Sequence, residues 1–290
     1  MAIEVARRLG TEIVSCDSRQ FYRELDIGVA RPSAEELASV PHHFIAHRSV
    51  TNPYNAYQFE QEALARLEVL FAEHEEVVAV GGSGLYVDAL CQGIVRLPDP
   101  SPELRQRLAR QIREEGLEPL REQLRALDPV YYEAVDRQNP MRLQRALETI
   151  LTAGRPYSEL LKQERTPRPF RIMKIGLQTE REILRNRIAL RTDRMMRDGL
   201  LEEVRSVLHL RQLNTLNTVG YKELFAYMDN RCSLDDAVNN IKLDTWHYAK
   251  KQITWLKRYP EIVWTDNHDV RQAMQHVERG LEQTNAPRRP

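Results

Sequence analysis

Cysteine is scarce: three residues in 290, at positions 16, 91 and 232, too few and too scattered for a disulfide framework and without the C-x-x-C spacing of a structural zinc site. A reducing compartment, the cytoplasm, is the expected location. Long apolar runs are missing as well, and the opening MAIEVARRLG carries Glu4, Arg7 and Arg8 where a signal peptide would be apolar, so neither a membrane span nor an export signal is expected. There is no excess charge of either sign. Forty-two Lys and Arg residues balance 42 Asp and Glu, so any nucleic-acid surface has to arise from local segregation of charge. No internal repeat is visible, and no G-x-x-x-x-G-K-[ST] phosphate loop occurs anywhere in the chain. The remaining composition, 42% hydrophobic and 29% charged, is that of a globular protein with one large core or two modest ones.

What is present is an alternation of short apolar runs with helical patterns. Strands are predicted at 12–16 (EIVSC), 42–47 (HHFIAH), 77–80 (VVAV), 171–177 (RIMKIGL) and 261–266 (EIVWTD). Between the second and third, Ala56, Phe59, Ala63, Leu67 and Leu70 fall on one helical stripe, which makes a strand-helix-strand unit and hence a parallel sheet. The chain opens on an amphipathic helix at 2–9 with no strand before it. Residues 98–168 are charged, helix-favouring and strandless, and are expected to form a helical insertion domain. The α/β core is then 1–97 with 169–290. SLDD at 233–236 predicts an N-cap for a helix running to about Arg258, and the tail NAPRRP is expected to be disordered.

Several clusters bear chemistry. Asp17 follows a strand, at the edge where open α/β sheets bind ligands; its carboxylate could take a proton, help hold magnesium, or simply cap the turn. Ser18, Arg19 and Gln20 add three hydrogen-bonding side chains. The run VVAVGGSGLY at 77–86 reads as a buried strand breaking into a turn, where Gly81, Gly82 and Gly84 allow close backbone approach and Ser83 offers a hydroxyl; tight strand-to-helix packing explains such glycines equally well. Lys250, Lys251, Lys257 and Arg258 form a basic strip on one helix face, with Trp255 beside it and no acidic residue between Ala249 and Pro260, which suits RNA phosphate. Arg187, Arg191 and Arg194 share a face but are interleaved with Glu182, Asp193 and Asp198, so a solvated, salt-laced helix is the better reading. His42 and His43 sit in one strand and point to opposite faces, which argues against a shared metal ion.

Seven segments together resemble one family, the tRNA dimethylallyltransferases: DSRQFY at 17–22, DIGVARP at 26–32, PHHFI at 41–45, GGSGLY at 81–86, NPMRLQRALE at 139–148, TVGYKEL at 218–224 and AKKQITWLK at 249–257. They run in the family's order across nearly the whole chain. The resemblance implies a P-loop-type α/β core with a helical insertion that grips the anticodon stem-loop. It implies transfer of a dimethylallyl group from its diphosphate to the exocyclic amine of the adenosine after the anticodon, in tRNAs reading codons that start with U, with magnesium and a phosphate loop neutralising the leaving diphosphate. Asp17 would be the general base, and Ser83 would stand where the family usually has threonine. Contacts to tRNA would come from Asp17, Ser18, Arg19 and Gln20; from Arg105, Arg142, Leu143, Gln144 and Arg145; from Asn217, Thr218, Val219, Gly220, Tyr221 and Lys222; and from Lys250, Lys251, Gln252, Ile253, Thr254, Trp255 and Lys257. A monomer is the expected form.

The chain departs from the family pattern at Val29 (usually threonine), Arg31 (often lysine) and Trp246 (often arginine), and it starts just after the point where the family has a strand and a GPTASGKT-like loop. Losing even one preorganised phosphate donor of that kind costs roughly 3 kcal/mol of transition-state stabilisation, so these 290 residues alone are expected to be impaired. Two other readings follow from the same features: a non-catalytic tRNA-binding protein, and a nucleotide-type kinase built on the same core.

Overall fold

A computed structural model describes residues 1–52, 54–163, 165–266 and 268–285, with backbone only for 283–285. The tail expected to be disordered lies, beyond Asn285, outside the described residues. The chain divides into two compact units, 1–91 with 168–290, and 92–167.

In the first unit, α1 (Ala2–Leu9) ends on Gly10, whose φ of 63° is left-handed and closes the helix onto the carbonyls of Ala6 and Arg7. The chain then enters β1 (Ile13–Ser15), buried at all three residues. α2 (Ala34–Ser39) starts on a Ser33–Glu36 capping box and leads to β2 (His42–His43). α3 (Ala56–Leu70), capped by Asn55 and Gln58, buries the predicted stripe, and β3 (Val78–Val80) follows. The sheet is parallel in the order β2-β1-β3. Ser15 pairs with Val80, so β1 and β3 end level and the segments after them leave the sheet at one edge. α4 (Gly84–Gln92) begins there.

The 42–47 strand is cut short: Phe44 and Ala46 take positive φ (65° and 50°), which turns the chain out of extended geometry after His43. β3 is not the buried strand expected from VVAV. It pairs with β1 alone among the described strands, and Val80 is 39% exposed. The other two described strands, introduced below, pair in a separate parallel sheet rather than extending this one.

The described secondary-structure elements of the second unit are all helices: α5 (Pro102–Glu115), α6 (Glu118–Leu127), α7 (Pro129–Ala134), α8 (Pro140–Ala153) and α9 (Tyr157–Leu160). Ser101 and Asn139 cap α5 and α8, and Leu108, Leu120, Leu124, Leu143 and Leu147 form a core of their own.

Back in the first unit, β4 (Ile175–Gln178) starts four residues later than predicted and pairs in parallel with β5 (Val263–Asp266). Between them lie α10 (Arg181–Arg197), α11 (Leu200–Ser206), α12 (Tyr221–Met228) and the long α13 (Leu234–Leu256), which opens on the predicted Ser233 cap. α14 (Val270–Asn285) closes the chain. The core of this unit joins Phe21, Tyr54 and Phe59 to Leu200, Leu216, Tyr221 and Leu224. Among the described residues, no helix is long and apolar enough to cross a membrane.

Candidate active site

The level ends of β1 and β3 bring Asp17 and Ser83 together. Ser18 donates its backbone N–H to the Ser83 hydroxyl at 2.9 Å, and the two hydroxyl oxygens are themselves 2.9 Å apart. Ser83 is only 8% exposed, so its hydroxyl is fixed rather than rotating in solvent. Asp17 accepts the backbone N–H of Arg19 at 2.9 Å. Burial pushes the Asp17 carboxyl above the ordinary carboxylate range, while the N–H groups of Arg19 and Gln20 and the cations Arg19 and Arg191 pull the other way. The result is a carboxylate with a raised proton affinity beside an ordered hydroxyl.

The glycines of 81–84 serve packing before they serve a ligand. A Cβ on Gly81 would lie 2.6 Å from the backbone carbon of Cys16, and one on Gly84 would lie 2.5 Å from the Trp255 ring. At Gly82 the clash, 2.0 Å, is with the amide tip of Gln252. The close approach anticipated for a substrate is here made by the end of β1 and by α13, and the turn is thereby clamped at the sheet edge.

α13 presents two faces at this point. Gln252 donates to the Gly82 carbonyl at 2.9 Å and Trp255 packs on Gly84, so these two residues are committed to the loop rather than free for RNA. Lys250, Lys251 and Lys257 are exposed, as is Thr254, and Ile253 is half-buried. Tyr248, one turn before Gln252, directs its hydroxyl to the same Gly82 carbonyl at 3.4 Å. The sequence motifs do not single it out; the period i, i+4, i+7 through Tyr248, Gln252 and Trp255 carries it, but a basic strip read from 250 onward hides it. Arg185 lies over the Trp246 ring at 4.8 Å, so the position that departs from the family's arginine still has a guanidinium beside it.

The 17–20 segment is tied to Thr215, just before the 217–222 turn, and to the 22–31 loop. Arg19 donates to the Thr215 carbonyl at 2.7 Å, and Gln20 donates to the Ala30 carbonyl at 3.0 Å. Arg31 spends its guanidinium on the carbonyls of Tyr22, Arg23 and Leu25, so it braces the 22–31 loop instead of meeting phosphate. Tyr221 is fully buried and gives its hydroxyl to Glu203, which rules its side chain out as an RNA contact. Glu203 also accepts the N–H groups of Asp26, Ile27 and Gly28 at 3.1, 2.7 and 3.0 Å. No sequence pattern announces this carboxylate, because its partners are main-chain donors some 175 positions away. Gly220, with φ of 96°, caps α12, and Lys222 is paired with Asp244 at 2.6 Å; Asn217, Thr218 and Val219 sit on the intervening turn.

α10 has the exposed charged face expected of it, but its charges do not pair with one another. Asp193 pairs with Lys242 at 2.7 Å, and among the described residues no ion pair joins it, Glu182 or Asp198 to Arg187, Arg191 or Arg194. Arg191 instead stands close enough to Asp17 for the two charges to act on each other, and desolvation lowers its pKa. Arg191 is exposed, as expected of this face, and has no hydrogen-bonding partner among the described residues.

In the second unit, Leu143 is fully buried, so its side chain is core and not an RNA contact. Arg142 is exposed, while Arg105 and Arg145 flank the buried Glu148 at 3.7 and 3.9 Å and Gln144 donates to it at 2.8 Å. The two histidines at 42–43 part company: His42 Nδ1 meets the Val40 carbonyl and His43 Nε2 meets Glu12. No group of three or more His, Cys, Asp or Glu side chains gathers as a metal-ligand set among the described residues.

The IPP transferase family model matches residues 20–259. The tRNA dimethylallyltransferase 1 of Phocaeicola vulgatus is 45% identical over 277 residues, covering 96% of this chain and 92% of the relative. That of Bacteroides thetaiotaomicron is 49% identical over 264 residues, covering 91% and 86%. Among solved structures, the full-length tRNA isopentenylpyrophosphate transferase of Bacillus halodurans superposes with a TM-score of 0.67 at 29% identity, covering 97% of this chain and 90% of its own. A eukaryotic dimethylallyltransferase captured acting on tRNA shares the fold with a TM-score of 0.80 at 20% identity, covering 99% and 77%.

Proposed function

This chain belongs to the IPP transferase family, and on that premise we propose that it transfers a dimethylallyl group from dimethylallyl diphosphate to the N6 amine of the adenosine following the anticodon, in tRNAs reading codons that start with U. The observation that carries the proposal is that Ser18, the chain neighbour of Asp17, is held by the buried Ser83 hydroxyl at the common edge of β1 and β3.

The amine nitrogen attacks the allylic carbon, the C–N bond forms as the C–O bond breaks, and the electron pair leaves with diphosphate. The proton lost from the amine goes to Asp17, whose raised pKa suits it to take a proton from a developing cation. Ser83 is positioned to hydrogen-bond at the reacting groups, and Arg191 to meet the anion. Magnesium is usually held by one or two carboxylates together with substrate phosphates. The phosphate loop that would supply its protein ligand does not occur in these 290 residues, and the ion when bound would neutralise leaving-group charge. The adenosine has to be splayed out of its loop, which a single-stranded loop permits cheaply. Phosphates of the anticodon stem-loop are assigned to Arg105, Arg142 and Arg145 in the helical unit and to Lys250, Lys251 and Lys257 on α13. Reduced thiols at all three cysteines suit a cytoplasmic enzyme, which we take to act as a monomer.

The 290 residues hold no phosphate loop, and we infer that this polypeptide by itself transfers slowly. The test is transfer of radiolabelled dimethylallyl to unmodified tRNA by the 290-residue chain and by the same chain with a strand and phosphate loop fused ahead of it. Transfer by the fused form supports the proposal. Tight stem-loop binding with no transfer by either form would favour a non-catalytic tRNA-binding protein, the reading that the absent loop motivates, and ATP turnover without tRNA would favour a kinase.

A further inference from the structure

α13 carries three aromatic residues near the site, and two are already occupied. The Trp246 ring is covered by Arg185 at 4.8 Å and approached by Lys250 at 5.6 Å. Trp255 is packed on Gly84, edged by Tyr259 with ring centroids 5.2 Å apart, and approached by Arg258 at 5.4 Å. Tyr248 differs. No ring or cation stacks on it among the described residues, and it is 46% exposed although its hydroxyl is held at a structured turn. Its orientation is nevertheless fixed at one end, because the hydroxyl points to the Gly82 carbonyl at 3.4 Å, the same carbonyl that Gln252 holds at 2.9 Å. Gly82 is bonded to Ser83, whose hydroxyl is 2.9 Å from the backbone nitrogen of Ser18, the neighbour of Asp17. A bare aromatic face is thus tethered by its rim to the loop that carries the candidate catalytic hydroxyl.

From this geometry we propose that Tyr248 is the stacking platform for the adenine that accepts the prenyl group, holding the base with its amine toward Asp17. The inference rests on the tRNA-prenyltransferase reading above. Stacking explains what a hydrogen bond alone does not: why the ring keeps an open face at the site. Burial of the hydroxyl, and after it the charge of Asp17, keep the phenol protonated, so it remains a neutral π surface at working pH.

The test uses the 290-residue chain and an anticodon stem-loop with 2-aminopurine in place of the target adenosine, since stacking on an aromatic ring quenches this fluorophore. Tyr248→Phe and Tyr248→Trp are expected to match the wild-type complex in quenching. Tyr248→Leu is expected to give a several-fold brighter complex and a Kd raised roughly 5- to 150-fold, the range of one base–aromatic stack. Retention of helical circular dichroism by Tyr248→Leu separates loss of stacking from loss of fold. A quenched Tyr248→Leu complex, or a bright Tyr248→Phe complex, overturns the platform while leaving the tRNA reading standing. Failure of the wild type to bind the stem-loop overturns the tRNA reading itself, and the platform with it.

Discussion

Ser18 and Ser83 lock the ends of two strands together: the backbone N–H of Ser18 is 2.9 Å from the Ser83 hydroxyl, and the two hydroxyls are 2.9 Å from each other. The sheet alone would bring the 16–18 and 81–83 segments to one edge, since Ser15 is in register with Val80. The serine pair converts that proximity into a fixed distance between the Asp17 backbone and the glycine turn. Ser83→Ala leaves the part-buried Ser18 N–H without its acceptor and is expected to cost about 1–3 kcal/mol of stability, with at least a roughly tenfold loss in transfer rate. Ser83→Thr keeps the hydroxyl and should retain most of both. Urea midpoints and single-turnover rates measure the pair of effects.

The raised pKa of Asp17 has opposite consequences for rate and stability. As a base the carboxyl must be ionised, so the transfer rate should climb with pH through a value above the ordinary carboxylate range and then level off. For folding, the native state holds the proton more tightly than the unfolded chain, whose carboxyl titrates near about 3.9. The stability this contributes is complete below about pH 3.9 and lost as pH rises through the folded value. Asp17→Asn should therefore abolish the pH dependence of the rate and unfold at higher urea than the wild type at neutral pH.

The three glycines of the turn are expected to rank by what their added Cβ would meet. Gly81→Ala strikes the backbone of Cys16, and Gly84→Ala strikes an indole ring that is itself packed, so each should cost roughly 1–3 kcal/mol. Gly82→Ala meets only the movable end of Gln252 and should cost less. Equal losses at all three positions in thermal denaturation would contradict the clamp.

The exposed lysines of α13 should act through phosphate. Replacing Lys250, Lys251 or Lys257 by alanine is expected to weaken stem-loop binding uniformly across sequences. Each phosphate that is no longer neutralised should make the slope of log K against log salt shallower by roughly 0.7–0.9. Lys222→Ala should change this slope little, because that charge is already spent on Asp244. Filter-binding titrations at several salt concentrations give the slopes.

Much of the scaffold is legible in the sequence because it rests on local signals. Hydrophobic period places α3 and the strands, and Ser33, Asn55, Ser101, Asn139 and Ser233 are side-chain caps where helices start. Non-local partners are what the sequence hides. Tyr221 reads as a loop donor from its motif but is core, because a carboxylate on α11 waits for its hydroxyl. Leu143 lies between Arg142 and Gln144 in the sequence and about 100° around the helix from Arg142, so a contiguous motif mixes core with surface. The acidic neighbours of Arg191 along the chain suggest ion pairs within α10, whereas Asp193 turns to Lys242 and leaves the exposed Arg191 near enough to Asp17 for the two charges to interact. β2 ends early because two positive φ angles carry no clear residue signature when the residues are Phe44 and Ala46.

That the Asp17 carboxylate receives the amine proton at a site it shares with Ser83 is tested most directly by single-turnover transfer of labelled dimethylallyl to an anticodon stem-loop. The comparison is between Asp17 and Asp17→Asn, both in the form fused to a phosphate loop. A rate lower by about 10²- to 10⁴-fold with stem-loop affinity unchanged is predicted for the asparagine variant. An Asp17→Asn enzyme that transfers at the wild-type rate would contradict the assignment.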